Sequence, residues 1–142
     1  MWLQFPIKFK PQRRGFHLVT KEILEQLEGL ENIKVGILHL FLQHTSASLT
    51  LNENADPTVR EDFESFFNDV VAEDKSYYIH NYEGSDDMPA HLKSSLLGSS
   101  LTIPIANGRL GLGHWQGIYL CEHRNFSTSR QAIATIHGQA KL

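Results

Sequence analysis

Apolar and polar residues follow two different periods along the chain, and each period predicts one kind of secondary structure. Where apolar residues alternate with polar ones, or run continuously over a few positions, a strand is expected. Such runs predict six strands, at residues 3–9, 33–42, 47–51, 100–105, 114–123 and 130–138. The dipeptide Asn107-Gly108 is typical of a tight hairpin turn after the fourth of these strands.

The best-marked helix follows the third predicted strand. Asp56 is a suitable N-cap and Pro57 fits the first turn. The apolar residues then recur at helical spacing, at Val59, Phe63, Phe66, Phe67 and Val70. We expect Phe63, Phe66, Phe67 and Val70 to be buried against a sheet. Truncation of Phe66 to alanine should then cost about 3–5 kcal/mol.

Two shorter helical patterns and one long loop complete the chain. Thr20 as a cap and Gly29 as a stop bound the first helix, and Pro89 and Gly98 bound the other. Residues 72–88 show no periodicity, and a loop of this length in a small domain is often functional. The pattern predicts an α+β fold: a β-rich single domain over residues 1–142, with largely antiparallel sheets and two to three helices.

Composition and charge narrow the function classes. The chain has 142 residues and a net charge of −3 without any Lys/Arg-rich run, which argues against a nucleic-acid partner. It has no long apolar segment and no signal-like N-terminus, so neither membrane insertion nor secretion is expected. Cys121 is the only cysteine, which excludes an intrachain disulfide and suits a reducing compartment. We therefore expect a cytoplasmic protein.

Histidines and carboxylates gather at the ends of the predicted elements, where a rigid scaffold often places functional groups. They are His44, His80, Glu83, Asp86, Asp87, His91, His114, Glu122 and His123. Imidazole together with carboxylate is the ligand set of zinc and similar metals. The spacing by itself is a weak signal, because the chain has no HExxH motif, no CxxC motif and no histidine pair at i and i+4.

Several polar residues have simpler interpretations. Asp86 and Asp87 are equally consistent with capping of the helix that follows. His39 lies in an apolar strand and fits a hydrogen-bonded core residue better than a ligand. No G-x-S-x-G motif surrounds Ser46 or Ser48, which argues against a serine hydrolase. The glycine-rich run GRLGLG feeds a strand and not a helix, so its glycines fit turn geometry better than phosphate binding.

Three sequence motifs, which follow one another along the chain, are more specific than the spacing of the histidines and carboxylates. They are LQHTSASLTLNENADPTVR, YEGSDDMPAHLKSSLLG and NGRLGLGHWQGIYLCEHR. Together they resemble the YjbQ-type family, also called the secondary thiamine-phosphate synthase family, and the resemblance covers nearly the whole chain. It implies an α+β, β-rich subunit that assembles as a homotrimer. It also implies a weak thiamine-phosphate synthase activity.

The resemblance also marks individual positions. His44 matches the histidine of an H-T-[ST]-A motif, and His80 matches the loop histidine before E-G. The other matched positions are Asn52, Glu53, Asn54, Asp56, Asp87, His91, Trp115, Gln116 and Glu122. One position departs from the family pattern, because G-T-W-Q is replaced by G-H-W-Q and His114 stands in place of a threonine.

These matches predict a metal site formed by His44, His80 and His91. Three imidazoles leave one position open for water or a phosphate oxygen, as in catalytic zinc sites. A divalent metal is expected, with zinc favoured over magnesium because Mg²⁺ prefers oxygen ligands. The candidate catalytic residues around it are Glu53, Asp87, Lys93 and Glu122.

The implied reaction joins an aminopyrimidine diphosphate to a thiazole phosphate and releases pyrophosphate. The leaving group needs positive charge, from the metal or from Lys93 or Arg124. The mismatch between histidine ligands and magnesium chemistry leaves two alternatives open. One is a metal-assisted hydrolase or phosphotransferase, and the other is a non-enzymatic binding module for an anionic metabolite. Each predicts a small phosphorylated or anionic partner.

Overall fold

The computed structural model describes residues 1–126 and 128–142, and the strands in this part of the chain form two antiparallel sheets. The strands are β1 (Trp2–Phe9), β2 (Gly15–Leu18), β3 (Ile33–Leu42), β4 (Ala47–Glu53), β5 (Ser100–Ala106), β6 (Arg109–Leu110), β7 (Gln116–Glu122) and β8 (Arg130–Ala140). The helices are α1 (Thr20–Leu24), α2 (Pro57–Val70) and α3 (Asp87–Leu97). The five-stranded sheet has the order β1-β8-β3-β5-β6, and the three-stranded sheet has the order β2-β7-β4. The predicted α+β class with antiparallel sheets is confirmed.

The core lies between the two sheets, because β3 and β7 turn apolar side chains toward each other. Leu38 and Leu40 on β3 and Ile118 and Leu120 on β7 belong to one buried cluster, and each is 0% exposed. The opposite face of β7 is buried under α2 and α3, where Tyr119 packs in a second cluster. The molecule therefore has three layers: the five-stranded sheet, the three-stranded sheet and the helices.

The outer face of the five-stranded sheet is open and carries exposed apolar side chains on β3 beside the polar side chains of His39, Thr102 and Thr135. On β3 the outward residues Val35, Ile37 and Phe41 are 44–54% exposed. They alternate with the buried leucines of the same strand, as the period of a strand requires. The described part of the chain leaves this face uncovered.

Two glycines face each other across β3 and β8. Gly36 and Gly138 are register partners. A Cβ on Gly36 would lie 2.5 Å from the carbonyl oxygen of His137 and 2.8 Å from Cα of Gly138. The two strands therefore approach each other here at a distance that only glycine allows.

The α2 helix forms as predicted, but half of its apolar stripe is exposed. Asp56 caps the helix, since its Oδ1 accepts a hydrogen bond from the Thr58 N–H at 2.9 Å. Phe63 and Phe67 stack on Phe16 of β2. These two side chains are only partly buried. Phe66 and Val70 are 57% and 54% exposed, so their predicted burial is wrong.

The physical reason lies in the position of α2. The helix packs over β2, which is an edge strand, and the stripe is wider than the surface that the edge offers. The full cavity cost expected for Phe66→Ala does not apply to a side chain that is more than half exposed.

Smaller differences concern element ends. Thr20 does not cap α1; its hydroxyl oxygen instead accepts a hydrogen bond from the Ile118 N–H at 2.9 Å. The α3 helix begins at Asp87, two residues before Pro89. The hairpin at Asn107-Gly108 is confirmed, with φ values of 50° and 78° at the two turn residues.

Candidate functional site

Three predicted site residues meet at the start of α3: His80, Asp87 and His91, called the trio below. Their ligand atoms all lie within 4.8 Å of one another. His80 Nε2 lies 2.8 Å from Asp87 Oδ2, and His91 Nε2 lies 3.4 Å from Asp87 Oδ1. Asp87 and His91 share one face of α3 because they are four residues apart, and the preceding loop brings His80 to the same point.

Arg124 fixes the carboxylates at this end of α3. Its Nη1 donates to Asp87 Oδ1 at 2.6 Å, and its Nε donates to Asp86 Oδ2 at 2.9 Å. Burial would raise the pKa of Asp86, but hydrogen bonds from the Asn125 N–H and from Arg124 outweigh it and lower that pKa. The side chain of Asp86 makes no capping hydrogen bond, so the capping alternative gives way to an ion-pair role.

His91 is oriented by the backbone of the β3–β4 turn. Its Nδ1 lies 3.0 Å from the carbonyl oxygen of Thr45 and donates to it, so in the neutral ring Nε2 is the nitrogen without a proton, and it faces Asp87. A carbonyl that accepts the second ring N–H is the usual support of a metal-binding histidine. Two imidazoles and one carboxylate are a donor set for zinc or a similar metal. The trio fits such an ion, with Asp87 as a third candidate ligand.

The structure places His44 beside the trio and not in it. Its Nε2 accepts a hydrogen bond from the backbone N–H of Gln131 at 2.8 Å. Burial, followed by the nearby charge of Arg130, lowers the pKa of His44. His44 and His91 line a cavity of about 290 Å³, the His44 cavity, together with Thr45, Ser95 and Ser99 among others.

A second cavity, of about 240 Å³, is lined by His80 and by neither Asp87 nor His91. We call it the His80 cavity, and its lining includes His80, Tyr78 and Met88. The ring centroids of His80 and His91 are 5.2 Å apart. His80 thus lies in the wall of one cavity and His91 in the wall of the other.

Two predicted catalytic residues are buried away from both cavities. Glu122 is 0% exposed and pairs with Arg130 through two hydrogen bonds, of 2.8 and 2.5 Å. Lys93 is 1% exposed, and its Nζ donates to Asn68 Oδ1 on α2 at 2.7 Å. Burial, together with the positive charge of Arg14, lowers the pKa of Lys93.

Glu53 lies at the opposite end of β4 from the site. Ala47 begins the strand beside the trio's helix, and six further residues lead to Glu53, which is about 20 Å at 3.3 Å per residue. The main-chain carbonyl of Glu53 accepts a hydrogen bond from the Tyr119 hydroxyl. The structure thus does not bring this carboxylate to the trio of its own chain.

Residue types alone did not reveal the roles of Arg124 and His123. Both follow Glu122 directly at the end of β7, and that position was the one available signal. His123 is 1% exposed; its Nε2 lies 2.8 Å from Ser48 Oγ, and its Nδ1 has no hydrogen-bond partner in the described residues. Burial, then the charges of Lys93, Arg14 and Arg130, lower the pKa of His123 to about 3.

This buried imidazole predicts a loss of stability in mild acid. Between pH 6.5 and pH 3, His123 binds a proton in the unfolded chain but stays neutral in the folded protein. The stability present above pH 6.5 is therefore lost as the pH falls through this window, by about 2 kcal/mol at pH 5 from this residue. Urea unfolding at pH 7, 6 and 5 should show a shallower pH dependence for His123→Gln than for the wild type. The control His17→Gln, at a half-buried histidine on β2, should follow the wild type, and equal slopes for all three proteins would contradict the prediction.

In the described residues, no helix is long and apolar enough to cross a membrane.

Comparison with known proteins identifies the family. The family model described as UPF0047 protein YjbQ-like matches residues 5–139. The UPF0047 protein YjbQ of Escherichia coli O157:H7 is 56% identical over 139 residues, which cover 98% of this chain and 100% of that protein. A UPF0047 protein of Synechocystis is 50% identical over 128 residues, covering 90% of this chain and 86% of the relative.

Comparison with solved structures points to the same family and fold. An uncharacterised YjbQ/UPF0047 family protein from Clostridium acetobutylicum has a TM-score of 0.76 at 32% identity, covering 95% of this chain and 99% of its own. A protein of unknown function from Sulfolobus solfataricus shares the fold, with a TM-score of 0.85 at 24% identity over 98% of this chain and 99% of its own. The relatives' names state no activity. From its motifs, its fold and these matches, the chain belongs to the UPF0047 YjbQ-like family.

Proposed function

We propose that this protein is a metal-dependent enzyme that acts on small phosphorylated molecules, with the metal held by His80, Asp87 and His91. The observation that carries the proposal is the convergence of two imidazoles and a buried carboxylate within 4.8 Å. Asp87 replaces His44 as the third ligand in this proposal, because Nε2 of His44 already accepts a backbone hydrogen bond.

The charges around the trio support an anionic substrate. Asp86, Asp87 and Arg124 together carry a formal charge of −1, and a divalent ion would change it to +1. A bound metal would act as a Lewis acid toward a phosphoryl oxygen or a departing pyrophosphate. Arg124 keeps Asp87 in place, and the Thr45 carbonyl keeps the His91 ring turned toward the ion. Nitrogen-rich ligation favours zinc over magnesium.

The two cavities support a reaction with two substrates. His80 lines a cavity of about 240 Å³ and His91 lines one of about 290 Å³, so each of these proposed ligands has space for one reactant beside it. This arrangement suits the joining of an aminopyrimidine diphosphate to a thiazole phosphate, the thiamine-phosphate synthase reaction that the family resemblance implies. A hydrolase would need one substrate cavity and water.

Metal content is the direct test. Untagged wild-type protein is expected to hold one zinc ion per chain by elemental analysis, because the trio offers three ligands. His91→Ala removes one ligand together with the hydrogen bond that orients it on Thr45. The zinc affinity of this variant should fall at least about 100-fold, which is more than the usual loss when only a hydrogen bond to a ligand is removed. His17→Ala changes a histidine on β2 outside the trio and should keep the metal. Circular dichroism should show all three proteins folded.

Turnover assays then separate the candidate activities. Zinc-loaded protein should release pyrophosphate from an aminopyrimidine diphosphate only when the thiazole phosphate is present. Pyrophosphate release without the thiazole would favour the hydrolase alternative, and binding without turnover would favour the binding module. Full zinc retention by His91→Ala would exclude the trio as the metal site.

We further propose a homotrimer that uses the open face of the five-stranded sheet. Val35, Ile37 and Phe41 are exposed apolar side chains on this face, with the half-buried His39 between the last two, and a monomer would leave them in water. A second copy of the chain is the expected occupant, as the family resemblance implies.

Light scattering should give three times the chain mass over a wide range of dilution. Ile37→Asp places a charge in the open face and should yield monomers. The matched control is Ile79→Asp, because Ile79 is 91% exposed in the loop before α3 and not on the sheet. A wild-type monomer at micromolar concentration, or a trimer that Ile37→Asp leaves intact, would contradict this assembly.

A further inference from the structure

The hydrogen bond on His44 fixes which ring nitrogen carries its proton. The backbone N–H of Gln131 can only donate, so Nε2 of His44, 2.8 Å away, must present a lone pair. The neutral ring therefore carries its proton on Nδ1. A second hydrogen bond, from the Gln43 N–H to the Gln131 carbonyl at 3.0 Å, holds the turn against the start of β8 and keeps the ring in place.

This tautomer conflicts with metal binding by His44. Ligation through Nε2 would require the loss of the Gln131 hydrogen bond. Ligation through Nδ1 would require a ring without any proton while Nε2 still accepts from the backbone. Nδ1 has no hydrogen-bond partner in the part of the chain that the structure describes, and His44 lines the cavity that His91 also lines. The free group that His44 offers is thus an N–H donor.

The rest of the His44 cavity is also lined by neutral donors. The side-chain hydroxyls of Thr45, Ser95 and Ser99 make no hydrogen bond to the described residues, and the lining contains no carboxylate. Two carbonyls near the end of α3 are already occupied: Ser94 accepts from the Gly98 N–H, and Gly98 accepts from the Leu49 N–H. A cavity whose unpaired side chains can all donate a hydrogen bond, and whose lining contains no carboxylate, suits an oxyanion.

We propose that the His44 cavity binds a phosphoryl group of the substrate, and that His44 donates a hydrogen bond to it from Nδ1 instead of binding the metal. The inference rests on the proposed function in one respect: a metal at His91 supplies the positive charge beside the cavity. It assigns the two imidazoles of the cavity to different tasks. His91 faces the metal through Nε2, and His44 faces the phosphoryl oxygen through Nδ1.

Nitrogen-15 spectroscopy of the histidine rings tests the tautomer directly. In wild-type protein with and without zinc, His44 should be the Nδ1–H tautomer with an unprotonated Nε2, assigned by comparison with His44→Asn. Zinc should shift the ring nitrogens of His80 and His91 and leave the tautomer of His44 unchanged. An Nε2–H tautomer, or a zinc-bound nitrogen on His44, would overturn the proposal.

Calorimetric titration with inorganic phosphate tests the cavity. Zinc-loaded His44→Ala should bind phosphate about 10–100-fold more weakly than wild type, the range for one hydrogen bond to a charged group. His44→Asn keeps an N–H donor close to the position of Nδ1 and should stay within about threefold of wild type. Both variants should bind zinc as wild type does, and His17→Ala should match wild type in both titrations.

The two proposals fail in different ways. If wild-type protein holds no zinc, the proposed function fails, and the same phosphate titrations on metal-free protein decide the role of His44. Equal phosphate affinity in wild type and His44→Ala, no phosphate binding by wild type, or zinc loss in His44→Ala would each overturn the role given to His44.

Discussion

Replacement of Arg130 with leucine is expected to destabilise the fold by about 3–5 kcal/mol, because it leaves a buried carboxylate without its partner. Glu122 is 0% exposed and Arg130 only 6%. Two hydrogen bonds of 2.8 and 2.5 Å join them, and a further one at 3.3 Å joins Arg130 to the Ser46 carbonyl. The pair links β7 of one sheet to β8 of the other, so its loss acts on the packing between the sheets. Denaturant unfolding measures the change.

Two controls separate burial from charge. The double variant Arg130→Leu/Glu122→Leu removes both charges and should recover most of the lost stability, since a buried pair contributes little beyond an apolar replacement. Lys21→Ala breaks a pair with Glu25 at 3.9 Å whose side chains are 86% and 62% exposed, and it should have little effect. An Arg130→Leu protein as stable as Lys21→Ala would show that water reaches Glu122.

Gly36→Ala is expected to cost about 3 kcal/mol, the upper end of the usual cost of overpacking. The added Cβ would lie 2.5 Å from the His137 carbonyl oxygen and 2.8 Å from Gly138 Cα. Both are backbone atoms, which cannot rotate away as a side chain can, so β3 and β8 must separate locally.

Gly113→Ala is the matched control for this variant. Its Cβ would meet only the side chain of Gln116, at 3.2 Å, and that side chain can move. Denaturant unfolding should therefore show a much smaller change for Gly113→Ala. Equal stability of the two variants would mean that the strands accept the methyl group without strain.

The elements that the sequence predicts well are those whose local signal agrees with their burial. The leucines of β3 alternate with Val35, Ile37 and Phe41, and the structure buries one set and exposes the other. Asp56 caps α2 because the cap depends on residues two positions away. The four residues of β2 were missed, since so short a strand gives too little alternation. No local pattern indicates that the consecutive strands β3 and β4 belong to different sheets.

The same distinction between local signals and long-range contacts holds for the candidate site. The sequence pointed to His80, Asp87 and His91, which lie within twelve positions of one another in a long loop and the helix after it. It could not distinguish the roles of Asp87 and His44, because those depend on distant partners: the side chain of Arg124 for Asp87 and the backbone N–H of Gln131 for His44. The burial of Lys93 and Glu122 could not be predicted either, because a charged residue is rarely expected to be buried.

The turn between β3 and β4 makes the geometry of the trio depend on the order in which contacts form during folding. The candidate ligands are close in sequence, but the Thr45 carbonyl that orients His91 is 46 positions away, and His44 and Gln131 are 87 positions apart. Contacts of such long range form only after the chain has closed large loops, which is slow. A folding intermediate could therefore carry all three candidate ligands without orienting them. Under the proposed function, productive metal uptake is then expected to follow the docking of the two sheets, and metal supplied during refolding should leave the rate of that docking unchanged.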